Sequence, residues 1–325
     1  MNCQRKKKRK TTLKKAAVSV IVAFSVLWIA MDEAELNPVY KPDYERASLS
    51  YIFEDIRETG QFGKKESKKK NLTEEEYKAV FRQTGLGKAA VDYIIANEKD
   101  YEEELEYYQK IFFDGYPYTC AKIGVLTYNE RMRDKDGNKV LGKEIIDLRP
   151  GDVLVNLSTH TMGLRHGHCG IVVNAPKKGK EAKTIEAVYL GEPSEYQTTK
   201  KWRSCPTLVH LRISEEAAES KGYTQEQLGT LLAKFAEENC LDIDYGILPG
   251  IYNMKSDRIR RTHCSHLIWY IFKEFDYDVD SNGGMIVTPA DIAASDLFEI
   301  VQIYGIDPDM RRKTDENIRR SFKWN

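Results

Sequence analysis

The sequence has no Cys-x-x-Cys pair, no complete phosphate-binding loop and no apolar run of twenty residues. Each absence excludes a class. The six cysteines (Cys3, Cys120, Cys169, Cys205, Cys240 and Cys264) have spacings that suit no structural zinc site. Thr84-Gly85-Leu86-Gly87 looks like a fragment of a phosphate loop, but it lacks the Gly-Lys-Ser/Thr ending. It also sits between helical stretches rather than after a strand, so it reads as a structural turn. Internal repeats are absent, and a hydrophobic content of 41% argues against a collagen-like or wholly disordered chain. Net charge is absent too, with 50 basic and 50 acidic residues, but the balance is uneven. Eight of the basic residues lie between Arg5 and Lys15, where there is no acid. The remaining 42 against 50 leave the rest of the chain at −8, a poor sign for nucleic-acid binding.

Directly after the basic tail comes an apolar run, Ala16 to Met31. It is short beside the roughly 20 residues of a spanning helix and suits the core of a signal segment. Trp28 and Ala30 make a poor cleavage site, and Asp32-Glu33 come next. The segment therefore reads as an uncleaved signal anchor. A cleaved signal and a buried N-terminal helix are the alternatives. Positive charge on the tail keeps it cytoplasmic and places residues from about 32 outside. Cys3 is not in lipoprotein order. Five cysteines then lie outside, an odd number, so at least one thiol is unpaired within the chain.

Residues 1–31 are thus the tail and anchor, and residues 32–46, polar with two prolines, a linker. Residues 47–117 read as a helical lead-in module. Leu49, Ile52, Phe53 and Ile56 have helical spacing, and Gly60 to Asn71 is a basic, solvated loop. Thr73 to Glu76 is a capping box opening a helix with Tyr77, Val80 and Phe81. Val91, Ile94 and Ile95 mark a second helix, and Tyr101 to Phe113 a third. Residues 118–306 change to short β-like runs: 123–127, 153–157, 170–173, 184–188 and 207–211. Asp134 to Asn138 is a hairpin-type turn that lacks the spaced ligands of a calcium loop. One helix is expected over 214–239, with Leu228, Leu231, Leu232 and Phe235 on its face. Two short strands are expected around a helix start at Thr288-Pro289-Ala290-Asp291, and 307–325 is a charged tail.

The chemistry gathers in this second part. In Thr262-His263-Cys264-Ser265-His266-Leu267-Ile268, a polar cluster runs into an apolar helix with a cysteine at the joint. Unpaired backbone N–H groups and the helix dipole favour a thiolate there. Leu267, Ile268 and Ile271 at +3, +4 and +7 put the thiol on the inward face; His263 and His266 do not share that face. A base must then come from a distant segment. His168 is the candidate, at the mouth of a strand whose Gly170 leaves room for close approach. Glu186 on the next strand can fix the imidazole tautomer. Taken singly, each residue has a plainer reading: a packed thiol, a satisfied histidine, a surface carboxylate. Cys169 is a rival nucleophile, but strand alternation points it away from His168. Zinc held by His160, His166, His168 and His210 is a further alternative, with no persuasive third ligand.

In order, the segments read LRPGDVLV, HCGIVV, TIEAV, DIDYGIL, THCSHLIW and VTPADIAASDLFEIV. Over about residues 118–305 this resembles the permuted branch of the NlpC-type papain-like cysteine hydrolases, the YiiX-like group. The resemblance implies an α+β papain-like domain with a small antiparallel sheet. It implies Cys264 as nucleophile, His168 as base and Glu186 as third member. It makes Asp244 and Tyr245 the pair that shapes the cleft, with Asp152 of the PGD turn as a further cleft residue. No cofactor or metal is implied. Expected partners are a peptide or peptidoglycan substrate and, through the anchor, the membrane. The expected activity is extracytoplasmic cleavage of a peptide or amide bond in cell-wall stem peptides. An acyl-ester hydrolase or acyltransferase at the membrane surface is one alternative, and a non-catalytic wall- or partner-binding module another. The sequence departs from the group at His266, at Cys169, and in an insert, Ser158 to Arg165, that is able to line or lid the cleft.

Overall fold

The computed structural model describes residues 39–59, 72–123, 127–161, 164–177, 180–246, 259–284 and 286–309, with Ser19 alone from the region before them. The apolar run 16–31, the loop 60–71 and the tail after 309 lie outside, so the signal-anchor expectation falls on residues not described. Among the described residues no helix is long and apolar enough to cross a membrane.

From residue 39 on, the described residues begin with four helices: α1 (Ser50–Thr59), α2 (Glu74–Thr84), α3 (Lys88–Asn97) and α4 (Tyr101–Asp114). The capping box at α2 forms as its residues dictate. Thr73 Oγ1 accepts from the Glu76 N–H at 3.3 Å, and Glu76 Oε2 accepts from the Thr73 N–H at 2.6 Å. Leu49, Ile52, Phe53, Ile56, Tyr77, Val80, Val91, Ile94 and Ile95 share one core, which also takes Ile146 and Val301 from beyond residue 117.

The second part holds strands β1 (Tyr118–Ile123), β2 (Thr127–Met132), β3 (Val153–Asn156), β4 (Thr159–Thr161), β5 (Leu164–Arg165), β6 (His168–Val172), β7 (Lys183–Glu186), β8 (Glu195–Thr198) and β9 (Leu208–Ile213). Helices α5 (Glu215–Glu219) and α6 (Gln225–Asn239), strands β10 (Asp244–Tyr245) and β11 (Arg261–Thr262), helices α7 (Cys264–Lys273) and α8 (Pro289–Ala294), and β12 (Phe298–Tyr304) follow among the described residues. The protein is a mixed α/β structure around an antiparallel six-stranded sheet, ordered β12-β9-β3-β6-β7-β8. On one face Val153, Val155, Cys169, Ile171, Ile185, Val209 and Leu211 pack with Leu228, Leu232 and Ala236 of α6 and Leu267, Ile268 and Ile271 of α7. Each of those fully buried aliphatic side chains contributes about 1.5–3 kcal/mol, so α7 is firmly anchored behind Cys264. The other face carries Leu154, Val172, Leu208 and Trp202.

The Thr84–Gly87 turn has a structural task. Its main chain pairs with β12: the Gly87 N–H donates to Val301 O at 2.9 Å and the Ile303 N–H to Gly85 O at 2.8 Å. A Cβ on Gly85 would stand 2.1 Å from Ile303 O, and one on Gly87 1.8 Å from Ile300 O. Only glycine permits this approach, which covers an otherwise open sheet edge.

Several boundaries differ from the sequence reading. The helix expected over 214–239 is two, broken where Gly222 takes φ 80° and Thr224 starts a new capping box with Gln227. Leu231 is exposed rather than on the packed face. Among the described residues only one strand, β12, accompanies the Thr288 helix start, because Thr288 caps α8 directly from the preceding loop, in a capping box with Asp291 of its first turn. The edge strand β8, with burial on neither face, has no periodic signal.

Candidate active site

Strand register assembles the first half of the site. In the β6–β7 ladder Ile171 pairs with Ile185 and Val172 with Thr184, which sets Gly170 across from Glu186. His168, at the first position of β6, pairs with Asn156. His168 Nε2 meets Glu186 Oε2 at 2.6 Å, both side chains buried. The missing side chain at Gly170 is what allows this: a Cβ there would stand 2.6 Å from Glu186 Cγ.

Glu186 is fully buried and collects four donors. Trp202 Nε1–H donates to Oε1 at 2.9 Å and Thr184 Oγ1–H at 2.5 Å. On Oε2, His168 is joined by the ammonium of Lys201. Burial pushes this carboxyl up, but Lys201 and His168 outweigh it and hold the pKa at about 2. Glu186 is therefore an anion at any working pH. The Trp202 ring also stacks on the His168 imidazole, centroids 5.5 Å apart.

Helix α7 brings the second half. Its first residue is Cys264, 6% exposed, and its N-cap is His263. Helix α7 packs against β6, and Cys169, His168 and His263 are the side chains that act on its thiol. The Cys169 contact, resisted by burial and joined by the two imidazoles, holds the Cys264 thiol well below its ordinary value. An S–H is a weak donor, so the charge on His168 is the partner that matters most. Burial works to lower His168, but Cys264 and Glu186 on its two sides raise it overall. With Nε2 donating to Glu186, Nδ1 is the nitrogen left for the sulfur. The arrangement supports a thiolate–imidazolium pair, the working form of a Cys-His nucleophile.

Cys264, His168 and Glu186, far apart in the sequence, thus converge. Tyr245 lies close to them. Strand β10 pairs in parallel with β11, Tyr245 beside Thr262, two residues before Cys264. Burial and then the neighbouring Cys264 raise its hydroxyl pKa. Asp244, one residue earlier, is exposed. Asp152 belongs elsewhere, which corrects its assignment to the cleft. It precedes β3, whose other end carries the His168 partner Asn156, about 13 Å along the strand. Its carboxylate is 1% exposed and held by Arg212, at 2.9 Å from both Nε and Nη2, and by His210 Nε2 at 2.7 Å. It also accepts from the Arg149 N–H. That is a structural cluster: the aspartate closes the turn and neutralises a buried arginine.

Thr184, Lys201 and Trp202 are not legible as site residues in the sequence, while Cys169 and His263 are weighed there and set aside. The first three serve Glu186 from a strand and a short turn with no motif. Strand alternation does send Cys169 to the face opposite His168, as expected. That face is the one α7 covers, which brings Cys169 beside Cys264. Helical geometry argues against His263, but as an N-cap it has extended backbone (φ −121°, ψ 173°) and is not bound by that geometry.

The four histidines weighed as zinc ligands do not converge. His160 pairs with Glu130 at 2.7 Å, His168 with Glu186 and His210 with Asp152. Among the described residues no group of three or more His, Cys, Asp or Glu side chains is placed to hold a metal ion. The insert 158–165 supplies β4 and β5, which join β1 and β2 in a second, four-stranded sheet. This sheet abuts the site: His166 and Gly167 N–H groups both donate to Thr159 O just before His168. Burial lowers the His166 pKa, with Cys264 near enough to oppose it. Two cavities, of about 360 and 690 Å³, lie between the helical module and the Arg149 turn. Neither includes Cys264, His168 or Glu186.

No family model, curated protein or solved structure significantly matches the chain.

Proposed function

We propose that the protein is a cysteine hydrolase with a papain-like, circularly permuted NlpC-type domain, acting on a peptide or amide bond outside the cytoplasm. One observation carries the reading. A buried thiol at a helix start meets an imidazole whose far nitrogen rests on a carboxylate fixed by three further donors. Donors alone do not single out a catalytic carboxylate, as Asp152 shows; the order thiol at a helix start, imidazole, carboxylate supports the reading, because the carboxylate orients the base and stabilises its charged form.

The Cys264 thiolate attacks an acyl carbonyl, and its own backbone N–H, at the free end of α7, offers one donor to the oxyanion. The His168 imidazolium protonates the leaving amine as the thioester forms. The neutral imidazole then takes a proton from water, and the hydroxide attack releases the acid and restores the thiolate. Glu186 stays ionised throughout and holds the ring. Stem peptides of peptidoglycan are the substrate class we favour, because residues 16–31 read as an anchor that sets the domain facing the wall. The same anchor holds the site near the membrane.

The test is cleavage of purified muropeptides by the full chain, read by mass spectrometry beside a panel of acyl esters. Wild type is expected to release products of amide hydrolysis, and Cys264→Ala to lose the rate by several orders of magnitude. Equal cleavage by Cys264→Ala would remove the nucleophile assignment. Turnover of esters alone would move the reading to acyl transfer.

A further inference from the structure

One oxygen of Glu186 is shared by an imidazole and an ammonium. His168 Nε2 meets Oε2 at 2.6 Å, and Lys201 Nζ pairs with the same atom. Oε1 takes two neutral donors, Trp202 Nε1–H at 2.9 Å and Thr184 Oγ1–H at 2.5 Å. Among the described residues no further cation pairs with Glu186. The backbone of Lys201 is fixed. It precedes the 3₁₀ turn Trp202–Ser204, and its carbonyl accepts from the Ser204 N–H at 3.2 Å and the Ser204 hydroxyl at 2.7 Å. Its side chain is 25% exposed, while Lys200 beside it lies fully in the exposed class. The charge balance gives this lysine a task. When the thiolate–imidazolium pair has formed, Cys264 and Glu186 are two anions against one imidazolium, and Lys201 makes the count even. Once His168 has protonated the leaving amine and the thioester has formed, Glu186 is the one charge left on the three side chains. A buried carboxylate facing a neutral imidazole is costly unless a cation stays beside it. Without Lys201 that cost falls on the step that discharges His168.

We propose that Lys201 is a positioning residue that lets His168 give up its proton, by holding the charge of Glu186 while the imidazole alternates between its charged and neutral forms. The proposal rests on the reading of Cys264, His168 and Glu186 given above. Across the shared oxygen the ammonium also opposes the imidazolium, and like charges that close disfavour the charged form of the ring. Lys201 thereby keeps His168 a usable acid, because a proton held too tightly is handed over slowly. The other titratable groups facing His168 are Cys264 of α7 and His166 before β6. Those facing Glu186 are Cys169 of β6 and Cys205 after the 3₁₀ turn. Burial raises both of these thiols, so they are uncharged at neutral pH. The nearby cations Arg131 and Lys139 face Cys205, with Arg131 Nη1 2.7 Å from its sulfur.

The experiment is the titration of the His168 ring in the full chain, followed by NMR and assigned with His168→Gln. Lys201→Met removes the charge and keeps the reach of the side chain, and Lys201→Arg keeps the charge. The midpoint should rise by about 1–2 pH units in Lys201→Met and stay near wild type in Lys201→Arg. A midpoint that Lys201→Met leaves unchanged or lowers would overturn the proposal, since a purely structural lysine leaves the titration in place or loosens the bond from His168 to Glu186. Should Lys201→Met not fold, Lys201→Gln gives the same reading, with a donor for Oε2 but no charge. If that variant does not fold either, Lys201 serves the scaffold and the proposal is overturned. Failure of the catalytic reading looks different: wild-type Cys264 would then be alkylated by iodoacetamide no faster than Cys205 or Cys240, whatever the His168 titration shows.

Discussion

Replacing Gly170 with alanine adds one methyl group and should disable the site. The new Cβ would stand 2.6 Å from Glu186 Cγ, 3.1 Å from its Cδ and 3.3 Å from Trp202 Cζ2. Carbon atoms rest at about 3.5–4.0 Å, so Glu186 must retreat by roughly 1 Å. It has no slack, because Thr184, Trp202, His168 and Lys201 all hold it. Moving the carboxylate that far stretches the 2.6 Å bond from His168 beyond hydrogen-bonding length. A charge-assisted bond of this type is worth about 1.5–3 kcal/mol, or one to two pH units on the imidazole. The partners fix the sign. Without Glu186 the raised His168 pKa falls, imidazolium is lost, and the Cys264 thiolate becomes harder to form. The acid limb of Cys264 alkylation should therefore move to higher pH, with the rate near pH 6 down about 10- to 100-fold. Iodoacetamide labelling across pH, beside thermal unfolding, measures both the chemistry and any loss of fold. If Gly170→Ala leaves the alkylation profile and the melting temperature as in wild type, Gly170 is not there to admit Glu186.

Two other perturbations separate the site from its scaffold. Asp152→Asn leaves Arg212 with Asp147 as its remaining carboxylate partner and should cost about 1.5–3 kcal/mol in urea unfolding, while the alkylation profile of Cys264 stays in place; a shifted profile would return Asp152 to the cleft. Glu186, held at about 2 against an ordinary 4.5, contributes stability that is complete above pH 4.5 and is lost as pH falls towards 2. The stability difference between wild type and Glu186→Gln should accordingly shrink by about 3 kcal/mol between pH 7 and pH 2, and a constant difference would refute it.

The parts of the molecule that are legible in the sequence are those governed by local rules. Capping boxes at Thr73 and Thr288, the apolar spacing of Leu267, Ile268 and Ile271, and the turn at Asp134 all express short-range physics. So does the reach from His168 to Glu186, because strand alternation and one glycine constrain both. What escapes depends on register and layer. Asp152 sits in a motif that looks like part of a cleft, yet its partners Arg212 and His210 come from β9, about sixty residues on. Lys201 and Trp202 approach Glu186 from a single 3₁₀ turn, where no periodicity marks which residue faces inward. The opposite fates of Cys169 and Leu231 show the same limit. A face can be assigned from spacing, but what covers that face cannot.

The glycine clamp on β12 bears on the order in which the protein can be put together. Residues 85 and 87 bond to a strand made roughly 200 residues later, and the Tyr40 N–H likewise donates to Gly305 O. During synthesis the four early helices are complete long before the strand that receives them exists. Until β12 emerges and pairs with β9, the apolar residues around Ile94 and Val80 lack the Val301 that completes their cluster. The helical module must wait, partly exposed, for the last strand. A chain of this design is most prone to misassembly or proteolysis in the interval before Gly87 meets Val301.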